Sequence, residues 1–360
     1  MPAVNIQALR PGQKIRVLVV DDSVVIRRLV CHALEQDPAI EVVGVAANGS
    51  IALNRIPQLN PDVLTLDIEM PEMDGLTLLR ELRPKYPNLR VVMFSTLTER
   101  GAAATFEALA LGADDYVTKA SNAGSLDVSL SHLQSELLPK IHQFFRVPAP
   151  AMARPRPQLV ASPAQARGIS SKAEVIAIGI STGGPSALAK VIPQLPADLP
   201  VPILIVQHMP PLFTRLLAER LDASTKLSVK EGVNGDPILP GRVYIAPGDY
   251  HMRVARIRNT VEIILDQGPP LNSCRPAADA LFASVADVYG SAALGAVLTG
   301  MGQDGMNGAA MLKARGAHMI AQDEASSVVW GMPGAVVGAG LADEVLPLSE
   351  IAAALSRRVQ

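Results

Sequence analysis

A serine between two glycines follows a short apolar run in the second half of the chain. Gly179, Ser181 and Gly183 satisfy the pattern G-x-S-x-G. Small residues around a serine permit a sharp turn from a strand into a helix. Such a turn exposes the hydroxyl beside the amides of a helix N-terminus, where an oxyanion is stabilised. Alone, the pattern is equally compatible with a glycine-rich turn whose serine caps the helix.

Two further polar residues could complete a hydrolytic site. His208 comes directly after the apolar run 203–207, and Asp304 lies in the glycine-rich stretch 299–305. A serine nucleophile needs a base, and the base needs an orienting carboxylate. Functional groups gather at the carboxyl ends of parallel strands, so the sequence predicts that these two residues meet Ser181 at one sheet edge. The chain order Ser, His, Asp differs from that of α/β-hydrolases, so that fold is not indicated.

The same glycines allow a different interpretation. Gly300, Gly302 and Gly305 satisfy the dinucleotide-binding pattern G-x-G-x-x-G, and acidic residues follow at a suitable distance. However, Asp304 would place a carboxylate beside a pyrophosphate, and few strands remain after the motif. The hydrolase hypothesis is therefore favoured over an NAD site.

A second group of chemically active residues lies in the first half. Asp21 and Asp22 follow the first predicted strand, Asp67 ends the third, Ser95 ends the fourth and Lys119 follows the fifth. Three carboxylates at one edge repel one another unless a cation with oxygen ligands, such as Mg²⁺, relieves the repulsion. A carboxylate beside Mg²⁺ can accept a phosphoryl group, whose oxygens the lysine and serine would hold.

Alternating strands and helices must position both groups of residues. In the first half the predicted strands are Ile15–Val20, Glu41–Ala46, Val63–Leu66, Arg90–Ser95 and Asp115–Thr118. In the second half they are Val175–Ile180, Ile203–Val206, Val243–Ala246, Ala293–Thr299 and Met319–Ala321, with a hairpin of Met252–Ile257 and Val261–Leu265. This alternation predicts two α/β domains with parallel sheets. Five prolines between residues 146 and 172 indicate a linker.

The composition excludes several classes of function. Lys plus Arg number 32 and Asp plus Glu 34, a net charge of −2, so nothing drives the whole chain toward nucleic acid or an anionic membrane. Cys31 and Cys274 lie in different predicted domains, which favours a reducing compartment over a disulfide framework. No signal-peptide run and no bilayer-spanning stretch is present, so we expect a cytoplasmic protein without membrane insertion.

The first half resembles response-regulator receiver domains through VLVVDDS, LDIEMPEMDGL, VVMFST and DDYVTK. The resemblance implies a flavodoxin-like, five-stranded parallel sheet over residues 14–138, with Asp67 phosphorylated by a histidine kinase. It implies a Mg²⁺ site formed by Asp21, Asp22, Asp67 and the backbone carbonyl of Glu69. The switch positions it implies are Ser95, Tyr116 and Lys119.

The second half resembles the catalytic domain of the chemotaxis protein-glutamate methylesterases, the CheB family. The matching stretches are IGISTGGP, VQHMP, YIAPGDYHM, RPAADALF and LTGMGQDGMNG. The resemblance implies a doubly wound α/β domain over residues 173–358, after a Pro/Ala-rich linker at 139–172. Ser181 would be the nucleophile, His208 the general base and acid, and Asp304 the group that orients His208.

The activity implied is hydrolysis of glutamate methyl esters on chemoreceptors, with deamidation of receptor glutamines and no cofactor for the esterase step. Candidate oxyanion donors are the amides of Thr182, Gly183 and Met301. By analogy, the unphosphorylated receiver packs over the active site, and phosphorylation of Asp67 shifts that contact toward an open state. The competing hypothesis is a phosphorylation-dependent scaffold whose esterase fold is catalytically silent.

Two positions depart from these families. Receivers usually have proline where this chain has Ala120, which leaves the placement of Lys119 open. The family often has histidine where this chain has Cys274, and we expect Cys274 to be a buried small apolar residue.

Overall fold

Continuous apolar runs form the strands of the first sheet, in which all neighbours are parallel. The computed structural model describes residues 7–10, 12–119, 126–146 and 172–359. The strand order is β3-β2-β4-β5-β6. The strands are β2 (Ile15–Val20), β3 (Ile40–Ala46), β4 (Val63–Asp67), β5 (Arg90–Ser95) and β6 (Asp115–Thr118). The predicted five-stranded parallel receiver sheet is therefore confirmed.

Helices cover both faces of this sheet, which is why its strands lack polar alternation. They are α1 (Val24–Glu35), α2 (Gly49–Leu59), α3 (Gly75–Leu82), α4 (Glu99–Ala110) and α5 (Leu126–His142). Side chains of the preceding residues cap the first four, since each accepts a bond from an amide three residues on: Ser23, Asn48, Asp74 and Thr98. Helix α5 continues past residue 138, where the predicted domain boundary falls.

A two-residue parallel ladder lies beside the receiver sheet. It pairs β1 (Gln7–Ala8) with β7 (Phe145–Arg146). Most of the predicted linker, 147–171, lies outside the described residues, as does Ala120.

The second sheet has seven parallel strands in the order β10-β11-β9-β8-β14-β15-β16. They are β8 (Val175–Ile180), β9 (Ile203–Gln207), β10 (Ser228–Glu231), β11 (Arg242–Ile245), β14 (Ala293–Val297), β15 (His318–Gln322) and β16 (Glu344–Leu346). The predicted hairpin is also present, as antiparallel β12 (His251–Ile257) and β13 (Thr260–Asp266). The helices are α6 (Gly184–Val191), α7 (Phe213–Asp222), α8 (Ala278–Tyr289), α9 (Met306–Ala314), α10 (Met332–Gly338) and α11 (Leu348–Val359). No helix among the described residues is long and apolar enough to cross a bilayer.

The two sheets belong to units that pack against each other. Helix α4 of the receiver contacts α6 and α7 of the second unit. The ring of Tyr116 stacks on Phe213, with centroids 4.8 Å apart and planes within 5°. Thr182 Oγ1 donates a 2.9 Å hydrogen bond to Asp115 Oδ2, and both residues are buried. The receiver thus contacts the residue next to Ser181.

Candidate active site and phosphorylation site

The register of the second sheet brings Ser181 and His208 to adjacent strand ends. Ile180 pairs with Gln207 in the β8–β9 ladder, so the next residue on each strand enters the site. The His208 amide donates to Ile180 O at 3.2 Å, and the Ser181 amide donates to Thr299 O at 3.0 Å. Backbone hydrogen bonds therefore tie together the loops after β8, β9 and β14.

Glycines make the turn at Ser181 possible. Gly183 adopts φ 78°, in the left-handed region, and a Cβ there would lie 2.6 Å from Val328 Cγ2. A Cβ at Gly300 would lie 2.8 Å from Ser181 Cβ. Helix α6 begins at Gly184, so the amides after Ser181 point out of a helix N-terminus.

The candidate oxyanion donors are three backbone amides without a hydrogen-bond partner. Among the described residues, the N–H groups of Thr182, Gly183 and Met301 donate no hydrogen bond. Met301 is also 39% exposed. Free amides at this position suit the developing charge of a tetrahedral intermediate.

A short hydrogen bond joins the histidine to the aspartate. His208 Nε2 lies 2.7 Å from Asp304 Oδ2, and the carboxylate is almost completely buried. Burial raises the pKa of Asp304, but His208 and the amides of Ala278 and Asp279 outweigh burial and hold the pKa below its usual value. The pair therefore consists of an anionic carboxylate and an imidazole that it orients.

The other ring nitrogen faces Cys274. The sulfur lies 3.6 Å from His208 Nδ1, and the residue is half-buried. The expectation that Cys274 is a buried apolar residue is therefore wrong, because the loop that carries it turns its thiol toward the imidazole. Burial lowers the pKa of His208, but the hydrogen bonds to Asp304 and Cys274 outweigh burial and raise the pKa to about 9.

Ser181 Oγ makes no hydrogen bond within the part of the chain that the structure describes. Because Asp304 occupies Nε2, the nitrogen left to receive the serine proton is Nδ1, which faces the Cys274 sulfur. Bonds between nucleophile and base are often long before substrate binds. The arrangement can therefore support acyl transfer once a substrate brings the hydroxyl and Nδ1 together.

Sequence reasoning missed one residue that holds these loops together. The Gln207 amide donates to Ser181 O at 3.0 Å and to His208 O at 3.3 Å. Gln207 is buried, and a Cβ at Gly184 would lie 1.8 Å from its Oε1. The sequence signal for this role is a polar residue directly after the apolar run 203–206.

The glycine-rich stretch 300–305 does not support the dinucleotide interpretation. Asp304 is turned into the interior, where it accepts bonds from His208 and from two amides at the start of α8. A Cβ at Gly331 would lie 2.8 Å from both Gly300 O and Gly302 N, so the backbone of residue 331 covers this turn.

The predicted acidic pocket assembles at the carboxyl edge of the receiver sheet. Carboxylate oxygens of Asp21, Asp22 and Asp67 lie within 4.8 Å of one another. Lys119 Nζ lies 2.8 Å from Asp67 and 3.0 Å from Asp21. Burial raises the pKa of Asp67 to about 6, although Lys119 opposes the shift. This donor set of hard oxygens suits a divalent cation.

The remaining predicted receiver residues differ in their relation to this pocket. A cavity beside Asp67 is lined by Glu69 and Lys119, among other residues, but not by Ser95 or Tyr116. Ser95 Oγ is buried and contacts Thr105 Oγ1 at 2.6 Å. Tyr116 is buried, and its stack on Phe213 links β6 of the receiver to the second unit.

Two family profiles match the two halves of the chain. The family profile described as CheB methylesterase matches residues 176–355, and the response regulator receiver profile matches residues 17–131. A protein-glutamate methylesterase/protein-glutamine glutaminase of Trichodesmium erythraeum is 48% identical over 96% of this chain and 99% of its own length. The chain belongs to the CheB methylesterase family.

Two further CheB-family proteins match this chain, one over almost its full length and one over about half of it. A relative of the same name from Nocardioides is 50% identical over 97% of this chain and 96% of its own length. The CheB methylesterase catalytic domain of Thermotoga maritima, a crystal structure, is 44% identical and has a TM-score of 0.51. It covers 52% of this chain and 99% of that chain.

The raised pKa of His208 predicts an alkaline activity profile for this CheB-family enzyme. A base must be neutral to accept a proton, so kcat/KM should rise with pH through about 9.

Cys274→Ala removes one contact that raises the pKa of His208, so the pH profile should move to lower pH. The rate at neutral pH should then rise about tenfold for each unit of pKa. Rates measured from about pH 6 to pH 10 test this, with Cys31→Ala as the control. A profile that moves equally in both variants contradicts the prediction.

Proposed function

We propose that the protein is a phosphorylation-activated serine hydrolase that removes methyl esters from chemoreceptor glutamates and deamidates receptor glutamines. The observation that carries the proposal is the 2.7 Å pair of His208 and Asp304, held by strand register beside Ser181. Free amides after Ser181 and at Met301 add a place for an oxyanion. The names of the full-length relatives support the substrate class.

In the proposed reaction, Ser181 Oγ attacks the ester carbonyl while His208 Nδ1 accepts the hydroxyl proton. The carbonyl oxygen becomes an oxyanion beside the amides of Thr182, Gly183 and Met301. Methanol then leaves with the proton from His208, which gives an acyl-serine. Water hydrolyses the acyl-serine by the same steps, releasing glutamate and restoring Ser181. A glutamine substrate would release ammonia instead of methanol.

Methanol release from methylated chemoreceptor membranes tests the enzymatic proposal. We expect the full chain, treated with acetyl phosphate and Mg²⁺, to release methanol, and Ser181→Ala to lower kcat by about 10⁶-fold. The variant removes one hydroxyl that makes no hydrogen bond among the described residues, so it should keep the fold. Equal rates for the two proteins would favour the alternative, a catalytically silent scaffold.

The receiver residues suit a phosphorylation switch. We propose that a histidine kinase phosphorylates Asp67 and that Asp21, Asp22, Asp67 and the Glu69 carbonyl hold Mg²⁺. The cation would neutralise charge on the phosphoryl group during transfer. Lys119 and Ser95 would then hold the phosphoryl oxygens. The 2.8 Å contact of Lys119 with Asp67 supports this role for the lysine.

The interface supports control of the hydrolase by the receiver. Neighbouring residues of β6, Asp115 and Tyr116, contact Thr182 and Phe213. Phosphorylation of Asp67, on the same sheet, can change the population of this contact. We propose that residues 14–138 form the receiver, 139–172 the linker and 173–358 the catalytic domain.

A further inference from the structure

Two buried carboxylates lie behind the candidate catalytic histidine. Asp304 is 1% exposed and Asp279 is 8% exposed. The side-chain amide of Asn272 joins them, since Nδ2 donates to Asp279 Oδ2 at 2.9 Å and to Asp304 Oδ1 at 3.1 Å. This NH₂ group therefore donates one hydrogen bond to each of the two carboxylates.

This amide completes the shell around Asp304. Oδ2 accepts from His208 and from the Ala278 amide, whereas Oδ1 accepts from Asn272 and from the Asp279 amide. Among the described residues, Asn272 is the only side chain besides His208 that donates to this carboxylate. Without that donor, Asp304 Oδ1 would lose one of its two hydrogen bonds. The negative charges of Asp304 and Asp279 would then repel each other with less screening between them.

The backbone is shaped to deliver this amide. Asn272 and Ser273 both adopt left-handed conformations, with φ 49° and 62°. Asparagine tolerates this region better than most residues. Reciprocal bonds between Leu271 and Cys274 close the turn, at 3.1 and 2.8 Å. The same turn places the Cys274 sulfur against His208 Nδ1.

We propose that Asn272 is a positioning residue for ester hydrolysis: it holds the Asp304 carboxylate in place, with Oδ2 directed at His208. This inference rests on the proposed function, because it assigns Asn272 a role in the same reaction. Asn272 acts through Asp304 and makes no contact with the reacting atoms.

The decisive variant is Asn272→Gly, which removes the amide while glycine keeps the left-handed backbone. Its matched control is Ser273→Gly, in the same turn, because Ser273 makes no side-chain hydrogen bond among the described residues. We expect Asn272→Gly to lower kcat for methanol release about ten- to a hundredfold, with KM within about twofold. Ser273→Gly should stay within about twofold of the parent in both constants.

A second measurement separates positioning from a structural role. Histidine NMR titration of the full chain should show a lower pKa for His208 in Asn272→Gly than in Ser273→Gly, because a poorly held anion stabilises imidazolium less. Equal kcat and equal His208 titration in the two variants would overturn the proposal. A fall in Tm with unchanged kcat per folded molecule would also overturn it.

The NMR titration remains informative if the parent protein releases no methanol. In that case the proposed function fails, yet a His208 titration that moves only in Asn272→Gly would still support control of the pair by Asn272. If the parent is active and the titration does not move, the inference fails alone.

Discussion

Asp304→Asn should lower kcat for methyl ester hydrolysis by roughly 10³- to 10⁴-fold. The variant replaces a buried carboxylate that orients His208 Nε2 at 2.7 Å. Asparagine keeps the size but removes the charge that stabilises imidazolium, and its NH₂ group can leave the ring in the wrong tautomer. Methanol release at saturating receptor measures the effect.

The pH dependence of the residual activity distinguishes this mechanism from simple misfolding. Because Asp304 raises the pKa of His208, its loss should move the remaining activity to lower pH. Asp323→Asn is a suitable control, because the Asp323 carboxylate accepts its hydrogen bonds from Ser326 rather than from His208. A loss of activity that follows a loss of folded protein, with no movement of the pH profile, would contradict the prediction.

Tyr116→Ala should raise the activity of the unphosphorylated protein about tenfold or more. The variant removes the ring that stacks on Phe213 at 4.8 Å. An aromatic pair contributes about 0.5–1.5 kcal/mol beyond the area it buries, and a buried ring adds about 2 kcal/mol. Together these exceed the 1.4 kcal/mol that corresponds to a tenfold change in the population of the undocked state.

The matched control is Tyr116→Phe, which keeps the stacked ring and removes only the hydroxyl. It should leave the basal rate within about twofold. A second control, Arg215→Ala, breaks the exposed pair with Glu99 and should change little. Methanol release without a phosphodonor measures all three. If Tyr116→Ala is no more active than Tyr116→Phe, the stack does not restrain the enzyme.

Much of the fold could be predicted because its strands are continuous apolar runs. The β8 run from Val175 to Ile180 is buried at every position, as the sequence predicts for a parallel sheet covered on both faces. Strands β10 and β16 were not predicted. They are short edge strands with exposed and charged positions, and their pairing depends on neighbours far away in sequence.

The sequence could predict only those site residues whose place follows from the strand that carries them. His208 follows an apolar run, so its place at the sheet edge follows from β9 alone. Asn272 and Cys274 lie on an exposed turn, where hydrophobic periodicity does not indicate which way a side chain points. Their contacts depend on where α8 and β9 meet, which is set by tertiary packing rather than local pattern. The role expected for Cys274 was wrong for this reason.

The hydrogen bond from Thr182 to Asp115 predicts that the receiver and the receptor substrate compete for the same surface of the catalytic domain. A receptor segment that binds at Ser181 would compete with the receiver for the surface around Thr182. By mass action, abundant methylated receptor should displace the receiver even without a phosphoryl group. The benefit of phosphorylation should therefore appear mainly as a lower apparent KM, and it should fade as the receptor concentration rises.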